Sequence, residues 1–279
     1  MRPTKAPSYA NRLSECEDKG VVGLKEIRDR ARQRDINLNK LCKLVRDSKS
    51  VIVLTGAGIS TSAGIADFRG PTGVWTKERL AEKKGKKAKL QQQADEEDNS
   101  FELAVPTKTH LVLTKLCNNN VVRGVISQNV DGLHMRSLLP RNRLVELHGN
   151  VFLERCNLCK HEVFHKTDVG GVGCKPTGNV CPQCPKGKLH DTVLDWDTPI
   201  DQEYLDLAEE WMRGADLVIC LGTSLRIVPA ANLPLLMDQA GKLAIVNLQP
   251  TPHDAKADLL LRCEVDLAMD RLEREFGGV

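Results

Sequence analysis

The chain has 279 residues, of which 40 are basic and 37 acidic, giving a formal net charge of +3. That length carries one large domain or two modest ones and excludes a small disulfide-stapled scaffold, while the near-balanced charge excludes wholesale binding to nucleic acid or membrane, leaving only local patches. Apolar residues make up 41% and charged residues 28%, which argues against general disorder, and with so few aromatics (5 Phe, 2 Tyr, 3 Trp) aliphatic side chains must fill the core.

Met1-Arg2-Pro3-Thr4-Lys5 lacks the apolar stretch of a signal peptide, so a reducing intracellular compartment is expected. Residues 1–37 read as an N-terminal extension. Leu38, Leu41, Cys42 and Val45 fall at i, i+3, i+4 and i+7 and predict a helix. Four short β-branched runs, each ending in glycine or a small polar residue, then read as buried strands of a parallel sheet: Ser50 to Leu54, Val121 to Ile126, Leu217 to Leu221 and Leu243 to Val246. Gln202 to Arg213 has the spacing of a second amphipathic helix. Leu217 to Met237 carries one charge, Arg226, over a length that could span a bilayer. Gly222, Thr223, Ser224, Pro229, Asn232 and Pro234 break it, so no membrane helix is expected.

This alternation implies a doubly wound, Rossmann-like α/β sheet, with ligands at the carboxyl edge of its strands. Two segments interrupt it. Lys77 to Ser100 is rich in lysine, then glutamine, then Asp95-Glu96-Glu97-Asp98, and predicts a solvated loop or frayed helix, with a basic targeting signal at Lys83 to Lys87 as an alternative to plain surface. The other is a small zinc-ribbon module over 151–189, inserted into a Rossmann-like domain formed by 38–76, 101–150 and 190–279.

Half of the ten cysteines lie between 156 and 184. Cys156-x-x-Cys159, a gap of twenty-one residues and Cys181-x-x-Cys184 place two pairs of thiolates on two tight turns, which can complete a tetrahedron around zinc. Four protein ligands leave no open position, so the role is structural; two disulfides are the rival reading. Cys174 reads as a bystander.

Val51 to Leu54 turns through Thr55-Gly56-Ala57-Gly58 into what should be a helix, whose free N–H groups would suit a pyrophosphate. Taken alone the signal is weak, because a third glycine would fall at Thr61, and a tight turn explains both glycines without a ligand.

Read onward through Gly64-Ile65-Ala66-Asp67-Phe68-Arg69-Gly70-Pro71, Ser127-Gln128-Asn129-Val130-Asp131-Gly132-Leu133-His134, Leu147-His148-Gly149-Asn150, Gly222-Thr223-Ser224 and the cysteine quartet, the chain resembles a sirtuin from about Ser50 to Asp270. Gly73-Val74-Trp75-Thr76, His134 to Ser137, Leu189 to Trp196, and Tyr9-Ala10 with Asp18-Lys19-Gly20 are similar to the nuclear class IV branch, nearer its chromatin-associated member than its nucleolar one.

The resemblance implies an NAD-dependent protein-lysine deacylase acting on acylated lysine peptides such as histone tails, with nucleosomes as a further partner and no membrane. In that chemistry the acyl oxygen attacks the ribose carbon of NAD that bears nicotinamide, forms an alkylimidate and leaves the acyl group on ADP-ribose. Removal of acetyl and of long-chain acyl groups is expected, with protein mono-ADP-ribosyl transfer and a non-catalytic NAD-sensing chromatin module as alternatives. By the match, His148 is the general base, a role that suits a neutral imidazole, and Asn129 and Asp131 complete the catalytic set. Gln128 joins them around nicotinamide and ribose. Ala57, Thr61, Phe68, Arg69 and Trp75 border the cofactor, and Gly222, Ser224, Asn247, Gln249 and Val265 surround its adenosine half. For His148 a core role, for Arg69 a surface charge, and for the apolar members simple packing stand as the alternatives.

Ala66 stands where most relatives have proline, the lysine-rich stretch after Trp75 is longer than in animal relatives, and Cys181-Pro-Gln-Cys184 closes more compactly. The resemblance implies a nuclear location, with the cytoplasm as the alternative because the sequence stops at Val279 without the long basic tail of animal relatives.

Overall fold

The computed structural model describes residues 9–16, 19–83 and 100–278. The N-terminal pentapeptide, Asp18, residues 84–99 of the lysine-rich stretch with most of its basic cluster, and Val279 lie outside the described residues. In chain order the helices are α1 (Tyr9–Arg12), α2 (Ala31–Asp47), α3 (Val74–Lys83), α4 (Ser100–Leu103), α5 (Lys108–Asn118), α6 (Leu133–Arg136), α7 (Gln202–Arg213) and α8 (Val265–Phe276). The strands are β1 (Val51–Thr55), β2 (Gly124–Ser127), β3 (Leu144–Glu146), β4 (Leu153–Cys156), β5 (Glu162–Phe164), β6 (Pro176–Val180), β7 (Lys188–Asp191), β8 (Leu217–Leu221), β9 (Lys242–Val246) and β10 (Leu259–Leu261).

Six strands form a parallel sheet in the order β10-β9-β8-β1-β2-β3. Succession runs one way from β1 and the other way from β8, so the strand order reverses between these two neighbours. Their carboxyl ends flank the crevice in which such sheets bind ligands. Both strands are buried at all five positions. Side chains alternate between two cores: Val51 and Val53 pack with Leu41, Leu113 and Leu272 of α2, α5 and α8, while Ile52 and Leu54 pack with Ala208 and Met212 of α7.

Several expectations need correction. The first helix runs Ala31–Asp47, and Asn37 belongs to its buried face, so the boundary set between 37 and 38 falls inside it. Three-residue β3 and β10 escaped notice, because runs that short carry no period. Residues 77–83, expected as a solvated loop or frayed helix, are the end of the helix α3, and the Lys19 ammonium reaches Glu78 on it at 2.8 Å. As expected, Leu217 to Met237 is no single helix but a strand, a turn and the 3₁₀ segment Ala230–Leu236. No described helix is long and apolar enough to cross a membrane.

The smaller sheet is antiparallel, ordered β5-β4-β7-β6, and carries the four cysteines at its end. It is fastened to the larger domain through charge: Arg141 grips Glu162 by two bonds of 2.7 Å, Tyr204 Oη donates to the same carboxylate at 2.6 Å, and Arg155 pairs with Asp201 at 2.7 Å.

Candidate active site and metal centre

The glycine turn leaves β1 through Gly56 and continues as two 3₁₀ turns, Ala57–Ile59 and Thr61–Ala63, rather than the α-helix expected. Backbone commitments are the cause. Gly56 N–H donates to Leu221 O at 3.1 Å and Gly58 N–H to Gly222 O at 2.8 Å, so these donors serve the β8 exit and are not free for a phosphate. Glycine is required by close approach: a Cβ on Gly58 would stand 2.8 Å from the Gly222 oxygen, and Gly222 itself has φ +57.

A cavity of about 490 Å³ opens beside this crossing, and a second of about 820 Å³ continues past it, with Gly58, Gly222, Asn247 and Gln249 lining both. The first gathers Ala57, Phe68, Arg69, Trp75, Gln128, Asn129, Asp131, His148 and Ser224. Thr61 and Val265 line the second. All fourteen residues expected at the cofactor or the chemistry therefore line one or both of these two adjoining cavities, although they come from segments more than two hundred positions apart.

At its floor the polar groups orient one another. Ser60 Oγ donates to Asp131 Oδ2 at 2.6 Å, and Leu133 N–H donates to Asp131 Oδ1 at 2.9 Å. Asn129 Nδ2 donates to Gly56 O at 3.2 Å, and Gln128 Nε2 to Thr223 Oγ1 at 2.9 Å. His148 Nδ1 lies 2.9 Å from Gln128 O, which assigns the proton to Nδ1 and leaves Nε2 as an acceptor. Burial lowers the pKa of this imidazole below the ordinary histidine value, against the opposing pull of the Gln128 carbonyl.

Aromatic rings make one wall. Phe68 and Trp75 lie 5.0 Å apart, Trp75 and Trp196 5.3 Å, and the Arg69 guanidinium sits 4.3 Å over the Trp75 ring. Sequence reasoning missed Trp196, Tyr9, Phe101 and Ser60 as site residues. Trp196 and Ser60 stand inside recognisable motifs, whereas nothing in the sequence places Tyr9 or Phe101 on this cavity.

The four cysteine sulfurs of 156, 159, 181 and 184 lie within 4.8 Å of one another. Cys156 and Cys184, and Cys159 and Cys181, approach to 3.5 Å, too far for a bond between sulfurs and suited to a shared tetrahedral ion. Backbone N–H groups of Leu158 and Gln183 point at Cys156 and Cys181 sulfur at 3.4 and 3.3 Å, as suits thiolates. The donor set fits zinc. Cys174 is exposed and outside the cluster.

A family model described as "Sir2 family" matches residues 56–229. The chain is similar to "NAD-dependent protein deacetylase SRT1" of Oryza sativa subsp. indica, 48% identical over 260 residues that cover 92% of this chain and 52% of the relative. It is also similar to "NAD-dependent protein deacetylase Sirt6" of Drosophila melanogaster, 40% identical over 97% of this chain and 84% of the relative. The chain thus spans about half the length of the plant relatives. Among solved structures, one titled "Sir2-p53 peptide-NAD+" is 31% identical with a TM-score of 0.64, covering 87% of this chain and 99% of that one. Another, "Structure of Sir2Tm bound to a propionylated peptide", is 30% identical with a TM-score of 0.62 over 86% and 98%.

Proposed function

Since the chain belongs to the Sir2 family, we propose that it is an NAD-dependent protein-lysine deacylase acting on acylated histone tails. One observation carries the reading: His148, Gln128, Asn129 and Asp131 line a single cavity at the carboxyl ends of the parallel strands. When bound, NAD supplies the ribose carbon whose bond to nicotinamide is exchanged for one to the acyl oxygen of the lysine substrate.

The glycine crossing, Asn247, Gln249 and Val265 would hold the adenosine side, and Gln128, Asn129 and Asp131 the nicotinamide side. With its proton kept on Nδ1 by Gln128, His148 offers Nε2 to accept a proton from a ribose hydroxyl. Ser60 and the Leu133 amide hold the Asp131 carboxylate in place, so it would face the nicotinamide side of the bound cofactor. The rings of Phe68, Trp75 and Trp196 exclude water and favour an apolar acyl chain, which supports removal of long-chain as well as acetyl groups. The four thiolates would hold zinc as a structural ion.

Histone substrates make the nucleus the proposed place of action. Incubating the purified chain with NAD and acetylated or myristoylated histone peptides, free and on nucleosomes, should release nicotinamide and O-acyl-ADP-ribose. No turnover with any acyl chain would defeat the proposal, and label from NAD appearing on protein without acyl substrate would point instead to mono-ADP-ribosyl transfer.

A further inference from the structure

Glu146 closes β3, two residues ahead of His148, and is only 3% exposed. Its Oε1 accepts a hydrogen bond from Asn150 Nδ2 at 2.8 Å, while Oε2 is buried with no partner among the described residues. Arg141 lies close enough to act on it electrostatically, but its guanidinium is bonded to Glu162, the Leu144 carbonyl and Tyr204. A carboxyl placed here costs free energy that a leucine would not. What the carboxyl adds is its grip on Asn150.

That grip encloses the histidine. Gly149 N–H donates to the Glu146 carbonyl at 3.3 Å, so main chain and side chain of Glu146 both fold the 146–150 loop back on itself, with His148 at its middle. Asn150 passes the constraint on: Oδ1 accepts from Phe152 N–H at 2.9 Å, and its N–H donates to Thr192 Oγ1 at 3.0 Å. On the far side Leu194 N–H donates to His148 O at 3.1 Å, and the chain runs on to Trp196 on the aromatic wall.

We propose that Glu146 is a positioning residue for the deacylation: through Asn150 it sets the loop that turns the His148 imidazole into the cavity. The proposal rests on His148 acting as the base. Burial pushes the Glu146 pKa up to about 7, against the lowering by Arg141 and the Asn150 amide. Glutamine, neutral and of the same shape, therefore mimics its protonated form and keeps an acceptor for Asn150.

The test uses the zinc-loaded full chain with E146A, E146Q, N150A, the double variant E146A/N150A, and H148A as reference, each checked by thermal melting. E146A and N150A should each lower kcat by ~10-fold with KM for NAD changed by less than ~2-fold, because misplacing a base costs turnover more than ground-state binding. The double variant should be no worse than either single one, and E146Q should restore kcat to within ~2-fold of the parent. Full activity in E146A and N150A, losses that multiply in the double variant, or E146Q as impaired as E146A would each overturn it. Should E146A fail to fold, N150A and E146Q break and keep the same bond from its two ends and decide alone. If H148A is inactive while E146A is not, only the role of Glu146 falls; if H148A itself turns over normally, the reading of the histidine falls.

Discussion

His148 Nδ1 stands 2.9 Å from the carbonyl oxygen of Gln128, so the imidazole is oriented by main chain at the exit of β2 and not by a carboxylate. Burial lowers its pKa, so the imidazole proposed as the base is mainly deprotonated throughout the neutral range and down to the usual histidine value. The acidic limb of kcat/KM for NAD should fall below pH ~6.5, since activity is lost only as the base gains its proton. H148A should lose at least ~100-fold in kcat. A limb centred above that pH would show another group to be the base.

Trp75 carries the Arg69 guanidinium on its face and packs at a tilt against Phe68, and its backbone N–H returns to Phe68 O at 3.0 Å. W75A removes the platform. With a stacking contribution of about 0.5–2 kcal/mol, NAD affinity measured by calorimetry should weaken by ~2- to ~30-fold. An unchanged affinity would place the cofactor elsewhere in the groove.

What could be read in the sequence follows from how much signal each element carries. β8 and α7 lie where they were expected because a five-residue apolar run and a twelve-residue amphipathic stretch each repeat their pattern enough to be seen. β6 was invisible: Pro176-Thr-Gly-Asn-Val180 is almost wholly exposed and is a strand only because β7 pairs with it. The glycine turn misled in a specific way, since Gly56 and Gly58 are small in order to touch β8's exit, and that contact consumes the donors a phosphate would need. Motif residues brought the site together, whereas Glu146 and Tyr9 join it through packing that no spacing encodes.

Removing the metal should undo the small sheet before the large one. The apolar cluster beside the cysteines is small, Cys156, Cys181 and Leu189 with Val163 and Cys184 against it, so a bound ion would supply cohesion that apolar packing there does not. Emission spectroscopy should find ~1 zinc per chain, as expected of a closed four-thiolate site. Strong chelation or C181S should release it, lower the melting temperature and expose 151–189 to proteolysis while the parallel sheet keeps its far-ultraviolet signal. A metal-free chain with the same melting temperature and protease resistance would argue that the thiols are merely clustered.

Acid should destabilise the fold from beneath the site. His110 and His134 are both buried with their rings 4.7 Å apart. Thr107 N–H donates to His110 Nδ1 at 3.2 Å, and His134 Nε2 lies 3.0 Å from Thr55 Oγ1. The other ring nitrogen of each is buried without a hydrogen-bond partner among the described residues. Burial depresses His110 to about 4, against Asp266; it depresses His134 to about 3, with His110 adding to the effect and Asp131 opposing it. Unfolded chains bind these protons more readily, so the stabilisation present above pH ~6.5 drains away as pH falls through the folded values. Glu146 acts with opposite sign: its pKa is raised, and its share of stability is lost as pH climbs from the ordinary carboxyl value towards about 7. The two trends partly cancel between pH ~4.5 and ~6.5 in the parent. E146Q removes one of them, and its urea midpoint should therefore fall more steeply than the parent's between pH 7 and pH 4.5. Equal slopes in the two proteins would mean that Glu146 is ionised in the fold across that range.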